Sequence, residues 1–262
     1  MTRRIAFALG LGGLAALAGS AHAEAPNVLF DQGRDDSGWV FGIGTGLSSF
    51  SLDGDLGFAT SEGGVIGEID LDNGDTRDLI DSGFGLAGIA INGPWAILAS
   101  IGTVTLEDSD SFLDAEWERA KAELVVGYRF FEAGTSQFSV LGGVRNIAHD
   151  WDIKLRDPDL ADVSVPDVDE DWTDLVVGVA HTMPIANGWL WSNRLDFGFG
   201  DTEESLNAAT TIQWLPFRHW SFNASIRYTK LEIGEASDLN DSDFYYYDVE
   251  EPAFGIGFMY LW

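Results

Sequence analysis

Residues 252–262 read Pro-Ala-Phe-Gly-Ile-Gly-Phe-Met-Tyr-Leu-Trp, with Phe254, Ile256, Phe258, Tyr260 and Trp262 at every second position and Gly255, Gly257, Met259 and Leu261 between them. A repeat of two is the period of a strand, whose successive side chains leave opposite faces. One face of this strand is uniformly large and apolar, and water is a poor surrounding for such a surface. The stretch from Trp189 to Gly200 repeats the arrangement, with Trp189, Trp191, Leu195, Phe197 and Phe199 on one side and Ser192, Arg194, Asp196, Gly198 and Gly200 on the other. Strands of this kind suit hydrocarbon outside and a polar or small-residue interior.

Lipid offers no partner for a peptide N–H or C=O, so strands cross a bilayer only when they close into a barrel. After residues 5–18 the chain has no apolar run approaching the roughly 20 residues that a membrane helix needs. The pattern predicts an all-β fold, a closed antiparallel transmembrane barrel of ten strands, with eight or twelve as the alternatives. The expected strands cover 39–52, 83–92, 95–107, 116–131, 137–153, 171–184, 189–200, 205–215, 219–234 and 251–262. Tight turns at 92–94, 185–188 and 216–218 contrast with long connections at 53–82, 108–115, 154–170 and 235–250. Short turns belong to the periplasmic side and long loops to the outside. A hairpin over 56–71 either lengthens the barrel or stands above it; the alternation alone allows both.

Trp39, Trp95, Trp189, Trp214, Trp220, Tyr260 and Trp262 all fall at strand ends expected on the periplasmic side, where amphipathic rings are favoured, and form an expected girdle. At the other end of the chain, Arg3 and Arg4 precede an apolar stretch from Ile5 to Ala18, and Ala21-His22-Ala23 supplies small residues before Glu24. This is the layout of a secretory signal peptide. The expected organisation is a cleaved signal over 1–23, a periplasmic segment over 24–37 and the barrel over 38–262. Cysteine is absent, which rules out disulfides and thiolate metal sites.

Charge is distributed as unevenly as hydrophobicity. The 43 acidic residues against 14 basic ones exclude a nucleic-acid partner, whose phosphates require a basic footprint. Thirty-five of the carboxylates fall in 53–81, 107–118, 150–171, 201–204 and 232–251, the expected outer loops and adjoining strand ends. Within strands the alternation turns Glu123, Asp174 and Asp196 inward, together with Arg119, Lys121, Arg129, Arg145, Arg194 and Arg227. Paired, these groups form an ion network that fills a narrow lumen; hydrated, they form cationic rings that select small anions.

The acidic loops offer oxygen ligands for weakly held divalent cations, but no defined metal site or cofactor is expected. In Asp70-Leu71-Asp72-Asn73-Gly74-Asp75 the glycine comes one place too early for an EF-hand loop, and 238–250 has no central glycine. Catalysis is not expected either. Of His149, His181 and His219, only His149 aims into the lumen near the outer rim, and its neighbour Asp150 belongs to the opposite face. No serine with a base and no glycine-rich phosphate loop accompanies it.

The run Asp171-Trp172-Thr173-Asp174-Leu175-Val176-Val177-Gly178-Val179-Ala180 resembles the W-x-D-P-x-x-G-x-R stretch of small bacterial outer-membrane β-barrel proteins of the porin-family or OmpA-like kind. Gly142-Gly143-Val144-Arg145, Trp220-Ser221-Phe222, Ile226-Arg227-Tyr228, Asp78-Leu79-Ile80-Asp81 and the closing Phe258-Met259-Tyr260-Leu261-Trp262 accompany it in order. Leu175 replaces the family's proline and Ala180 its arginine. The resemblance implies a Gram-negative outer-membrane location, lipid and lipopolysaccharide as surroundings, and assembly by the barrel-assembly machinery; it implies no substrate. The expected function is a structural barrel or narrow pore. The alternatives are a surface-binding barrel acting through its acidic loops and an outer-membrane hydrolase using His149.

Overall fold

The computed structural model describes residues 38–60, 63–109, 113–155, 168–236, 239 and 244–262; the expected signal peptide (1–23) and the segment 24–37 lie outside the described residues. In chain order the elements are β1 (Val40–Phe50), β2 (Leu52–Phe58), β3 (Val65–Leu71), α1 (Asn73–Leu79), β4 (Ile80–Asn92), β5 (Trp95–Ser109), β6 (Leu113–Ala133), β7 (Ser136–Leu155), β8 (Val168–Ala186), β9 (Trp189–Gly200), β10 (Glu204–Phe217), β11 (Trp220–Ile233) and β12 (Tyr245–Leu261).

Ten of these strands, β1 and β4 to β12, form a closed antiparallel barrel. The ring shuts where β1 meets β12, in register from Gly42↔Leu261 to Phe50↔Ala253. Beyond it, the Phe41 N–H donates to the Trp262 carbonyl at 3.0 Å and the Trp262 N–H to the Phe41 carbonyl at 2.9 Å. The aromatic strand that ends the sequence is therefore the closing strand. Three of the two-residue turns at one end contain Gly93, Gly134 and Gly188 with φ of 57°, 64° and 74°, a conformation that tight hairpins require and that side chains with a Cβ resist. This is called the turn end below, and the opposite one the loop end.

The expected long loop over 53–82 is instead β2, β3 and α1. Strand β1 does not finish at Phe50: the Ser51 N–H donates to the Pro252 carbonyl at 3.0 Å, and pairing with β12 resumes in the same register through Asp53↔Glu250 to Phe58↔Tyr245. Pro252 has no N–H to return, so the ladder is interrupted without the strand turning away. Strand β3 folds back on β2, and the hairpin stands on the loop end rather than adding strands to the ring.

Helix α1 starts at a reciprocal cap. The Asp72 carboxylate accepts from the Gly74 and Asp75 N–H groups at 2.5 and 3.0 Å, and the Asp75 carboxylate accepts from the Asp72 N–H at 3.3 Å. These hydrogen bonds hold the Asp72 carboxyl below its ordinary range. The buried Thr76 hydroxyl donates to the Phe50 carbonyl, seating the helix on the end of β1.

Strand β12 likewise begins at Tyr245, six residues before its expected start, because Tyr245–Glu250 pairs with β2 on one side and Tyr247–Glu250 with β11 on the other. Strands β6, β7 and β8 run to 21, 20 and 19 residues, against 12 for β9. At about 3.3 Å per residue β6 is about 70 Å long, well beyond the ~25 Å apolar band of a membrane barrel. The surplus projects from the loop end.

Outside, the lower part of the barrel presents exposed apolar side chains, among them Ile43, Leu47, Val126, Val177, Phe197 and Ile256. Inside, the barrel is filled in layers. Ile89, Ile91, Leu98, Met259 and Leu261 pack together near the turn end, and a larger cluster built on Phe50, Leu52, Trp117, Trp151, Leu231 and Tyr247 fills the loop end. Between them lie the charges.

Candidate functional site

The charged layer arises from strand alternation and from an asymmetry between walls. The inner row of β6 runs Trp117, Arg119, Lys121, Glu123, Val125, and the adjoining row of β7 runs Trp151, His149, Ile147, Arg145, with Glu123↔Arg145 and Arg119↔His149 directly opposed. At the same height the inward positions on β12, β1, β4 and β5 are small, including Gly255, Gly257, Gly46, Ser48, Ala87 and Gly102. Long side chains from one wall therefore have room to cross toward the other.

Four of them make a closed ring. Glu123 accepts from Arg145 Nε and Nη2 at 3.0 and 2.8 Å through Oε2, and from Arg194 Nη1 at 2.8 Å through Oε1. Asp196 accepts from Arg194 Nε at 2.6 Å and from Asn207 Nδ2 at 2.9 Å, and Arg145 Nη2 reaches its other oxygen. Arg145 also donates to Ser205 Oγ at 3.1 Å. Two guanidiniums and two carboxylates thus alternate around a neutral square, each carboxylate using both oxygens. Charge-assisted bonds of this kind are the strong class, and leaving one member unpaired in a buried site is costly.

Asp174 does not join the square. It is buried one strand away, where it accepts from the Thr202 hydroxyl at 2.7 Å and the Thr202 N–H at 3.2 Å, tying down the tip between β9 and β10. A Cβ on Gly198 would come within 2.6 Å of its Oδ2, so the glycine makes room for the carboxylate. Arg129 sits near the turn end, its Nε 3.1 Å from Glu132 and its Nη2 3.4 Å from the Gly93 carbonyl. Arg227 is buried on the inner face of β11. Lys121 faces inward, half-buried, beside the square.

One carboxylate counted with the outer loops and adjoining strand ends belongs to this interior. Glu251 is buried on β12, where it pairs with Arg119 from β6 and accepts from the Tyr247 hydroxyl at 2.8 Å. In the sequence Glu250 and Glu251 simply continue an acidic run; the inner row Tyr245, Tyr247, Val249, Glu251 is legible only once β12 is extended upward. The same extension carries Tyr245 and Tyr247 into the loop-end layer, a placement the sequence reading misses.

His149 is sealed in that layer. Its Nδ1 lies 2.7 Å from the Tyr245 hydroxyl, whose oxygen also accepts from Trp151 Nε1 at 3.3 Å. The two side chains share one hydrogen bond, and the ring's Nε2 finds no partner among the described residues. Trp117, Trp172 and Tyr247 surround the ring at centroid distances of 5.5, 5.3 and 4.9 Å, while Asp150 faces outward. Among the described residues no carboxylate orients this histidine, and at 1% exposure no open surface leads to it. His181 packs outside against Phe138 and Trp191, and His219 Nδ1 lies 2.7 Å from the Leu261 carbonyl, to which it donates.

Trp39, Trp95, Trp189, Trp214, Trp220, Tyr260 and Trp262 are 39–55% exposed around the turn end. Trp189 and Trp214 are direct cross-strand partners with stacked rings 5.7 Å apart, as are Trp220 and Tyr260 with an edge-on contact at 5.2 Å.

On the projecting outer surface, carboxylates face one another across strands. The row Glu107↔Glu116↔Asp152 crosses β5, β6 and β7, and the row Glu118↔Asp150↔Asp169 crosses β6, β7 and β8. Among the described residues no cluster has the geometry of a metal site.

No protein-family model matches the sequence, and no curated protein matches it. Solved structures with a similar barrel include Ail, the attachment invasion locus protein of Yersinia pestis (13% identity, TM-score 0.40, 86% of this chain and 100% of that one). They also include the outer membrane protease OmpT from Escherichia coli (10%, 0.40, 87% and 98%) and a major outer membrane protein from Thermus thermophilus (11%, 0.38, 86% and 100%). At these identities the likeness is one of architecture and carries nothing of what those proteins do. The chain is a closed antiparallel ten-stranded β-barrel with two additional strands standing on its loop end.

Proposed function

We propose that this chain is a non-catalytic outer-membrane barrel that does not conduct: a closed anchor holding a rigid acidic extension outside the cell. The observation that carries the reading is the threefold filling of the lumen, by apolar side chains near the turn end, by the Arg145–Glu123–Arg194–Asp196 square in the middle, and by the aromatic layer at the loop end. A ten-stranded cylinder is close to the size that side chains fill completely. Opening a pore through the square would strand buried charges, and the layers on either side would have to move as well.

Membrane insertion is supported by the apolar outer band and by the aromatic girdle at the turn end, which would lie at the periplasmic interface. Outer-membrane lipid and lipopolysaccharide would then be its surroundings and the barrel-assembly machinery its route there. The test is planar-bilayer recording on refolded protein, paired with the gel shift between boiled and unboiled samples. A folded, heat-modifiable barrel that gives no current steps is expected. Regular unitary steps would overturn the closed reading, and a protein that stays folded and monodisperse without detergent would overturn the membrane reading.

A second reading, surface binding, is favoured by the row of opposed carboxylates Glu118↔Asp150↔Asp169. Like charges directly across strands destabilise a sheet, and divalent cations or a cationic partner would relieve that cost. Calorimetric titration with Ca²⁺ tests the cation version; no heat at millimolar metal would dispose of it.

A further inference from the structure

Lys121 has no anionic partner among the described residues. It lies on the inner face of β6, between Arg119 and Glu123 in the same row, and no carboxylate oxygen among those residues comes within ion-pair distance of its amine. The neighbouring carboxylates are already engaged. Both oxygens of Glu123 and of Asp196 are held by Arg145 and Arg194, Glu251 is held by Arg119 and Tyr247, and Asp174 by Thr202. Arg119 stands two places along the same row and Arg145 lies opposite Glu123 on the adjoining strand, so guanidiniums flank the lysine.

There is also room beside it. The apolar layers above and below are shut, with Val104 and Leu231 at 0–1% exposure on the loop side and Leu98 and Met259 at 0–3% on the turn side. Lys121 points into the barrel between them yet is only half-buried, and Glu123 and Arg194 beside it keep 9% and 11% of their side-chain surface. Accessible surface on side chains that face inward means that the lumen is not fully packed at this height, which leaves space against the wall of glycine and serine.

We infer that this space is a halide site, in which a chloride-sized monovalent anion rests against Lys121 and supplies the charge that no side chain provides. The chemistry narrows the class. A lysine flanked by guanidiniums keeps its proton in an enclosed setting only beside a negative ligand, because an unpaired ion in a low-dielectric setting is costly. The carboxylate of Glu123 at the edge of the space disfavours multivalent anions, and the packed layers leave no passage for organic ones. The anion is a counter-ion enclosed on folding, not a permeating solute. The inference rests on the closed-barrel reading only in that both layers must be shut.

The test uses the full chain refolded in detergent at constant ionic strength, in sodium chloride, sodium bromide or sodium gluconate. A higher Tm in either halide than in gluconate is expected for the native sequence, and Lys121→Met should abolish the difference. Crystals grown in bromide should show an anomalous peak within hydrogen-bonding distance of Lys121 Nζ. Equal Tm in all three salts, a halide effect that persists in Lys121→Met, or an empty site in bromide crystals would each overturn the inference. The bromide map needs no variant, so it decides the matter even if Lys121→Met fails to fold. It is also independent of current recording, so a conducting barrel with no bromide and a silent barrel with no bromide are told apart.

Discussion

Arg119 on β6 and Glu251 on β12 meet across the barrel, 132 residues apart in sequence, each side chain 3% exposed. The pair joins the wall that carries long charged side chains to the wall that carries small ones, directly beneath the aromatic layer. Glu251→Ala should therefore do more than remove a surface charge. It leaves Arg119 buried without its partner, and a loss of about 3–5 kcal/mol in unfolding free energy is expected. Urea unfolding in lipid vesicles measures it, and Arg119→Met combined with Glu251→Leu should recover most of the loss.

Glu123→Ala opens the ion square by releasing Arg145 and Arg194 together. The barrel should lose stability by an amount of the same order, about 3–5 kcal/mol. It should nevertheless remain electrically silent in planar bilayers, because the layers around Met259 and around Trp117 and Trp151 still close the lumen. Current steps in this single variant would show that the square alone is the barrier.

Gly198→Ala places a Cβ within 2.6 Å of Asp174 Oδ2 and 2.8 Å of the Ser205 Cβ. Overpacking typically costs about 1–3 kcal/mol. Hydrogen exchange should rise at Thr202, whose N–H is held by Asp174, before it rises elsewhere.

Neutralising one member of an opposed carboxylate row should help rather than harm. Glu118→Gln removes a negative charge that faces Asp150, and a gain of roughly 0.2–1 kcal/mol is expected at low salt. The gain should shrink as added salt screens the row, which unfolding at two ionic strengths would reveal.

The cap of α1 carries a pH dependence of known sign. The Asp72 carboxyl is held below its ordinary value by the Asp75 and Gly74 N–H groups, so its contribution is present above the unfolded-state value and is lost as pH falls through the lowered one. Protection factors of the amides over 73–79, which correct for the slower intrinsic exchange in acid, should fall as pH is lowered, and Asp72→Ala should show the low protection already at neutral pH.

How much of this is legible in the residues depends on whether a period can be read. Strand β9, expected at 189–200, is found at Trp189–Gly200, because an alternation interrupted on its apolar face only by Asn193 lies between an Asn-Gly turn and an acidic tip. Strand β12 starts six residues earlier than its alternation predicts, because above the apolar band the contrast between faces reverses, with Tyr245, Tyr247 and Val249 turned inward and Asp248 and Glu250 outward. Asp72 and Asp75 read as loop charges, although they are the two halves of a helix cap; the spacing is present, but an Asp-x-x-Asp box is a weak signal beside so many other acids.

Taken alone, the sequence determined the closed antiparallel barrel, with ten strands the expected count and eight or twelve left open, since alternation and the need to pair every peptide group are properties of each strand and its neighbours. Only the tertiary structure decided which charges meet. Arg145 finds Glu123 beside it and Asp196 across from it, Arg119 crosses to Glu251, Asp174 turns away to Thr202, and Lys121 is left over. Those pairings depend on the stagger of strands far apart in the chain and on small residues opposite long ones, and no local pattern records either.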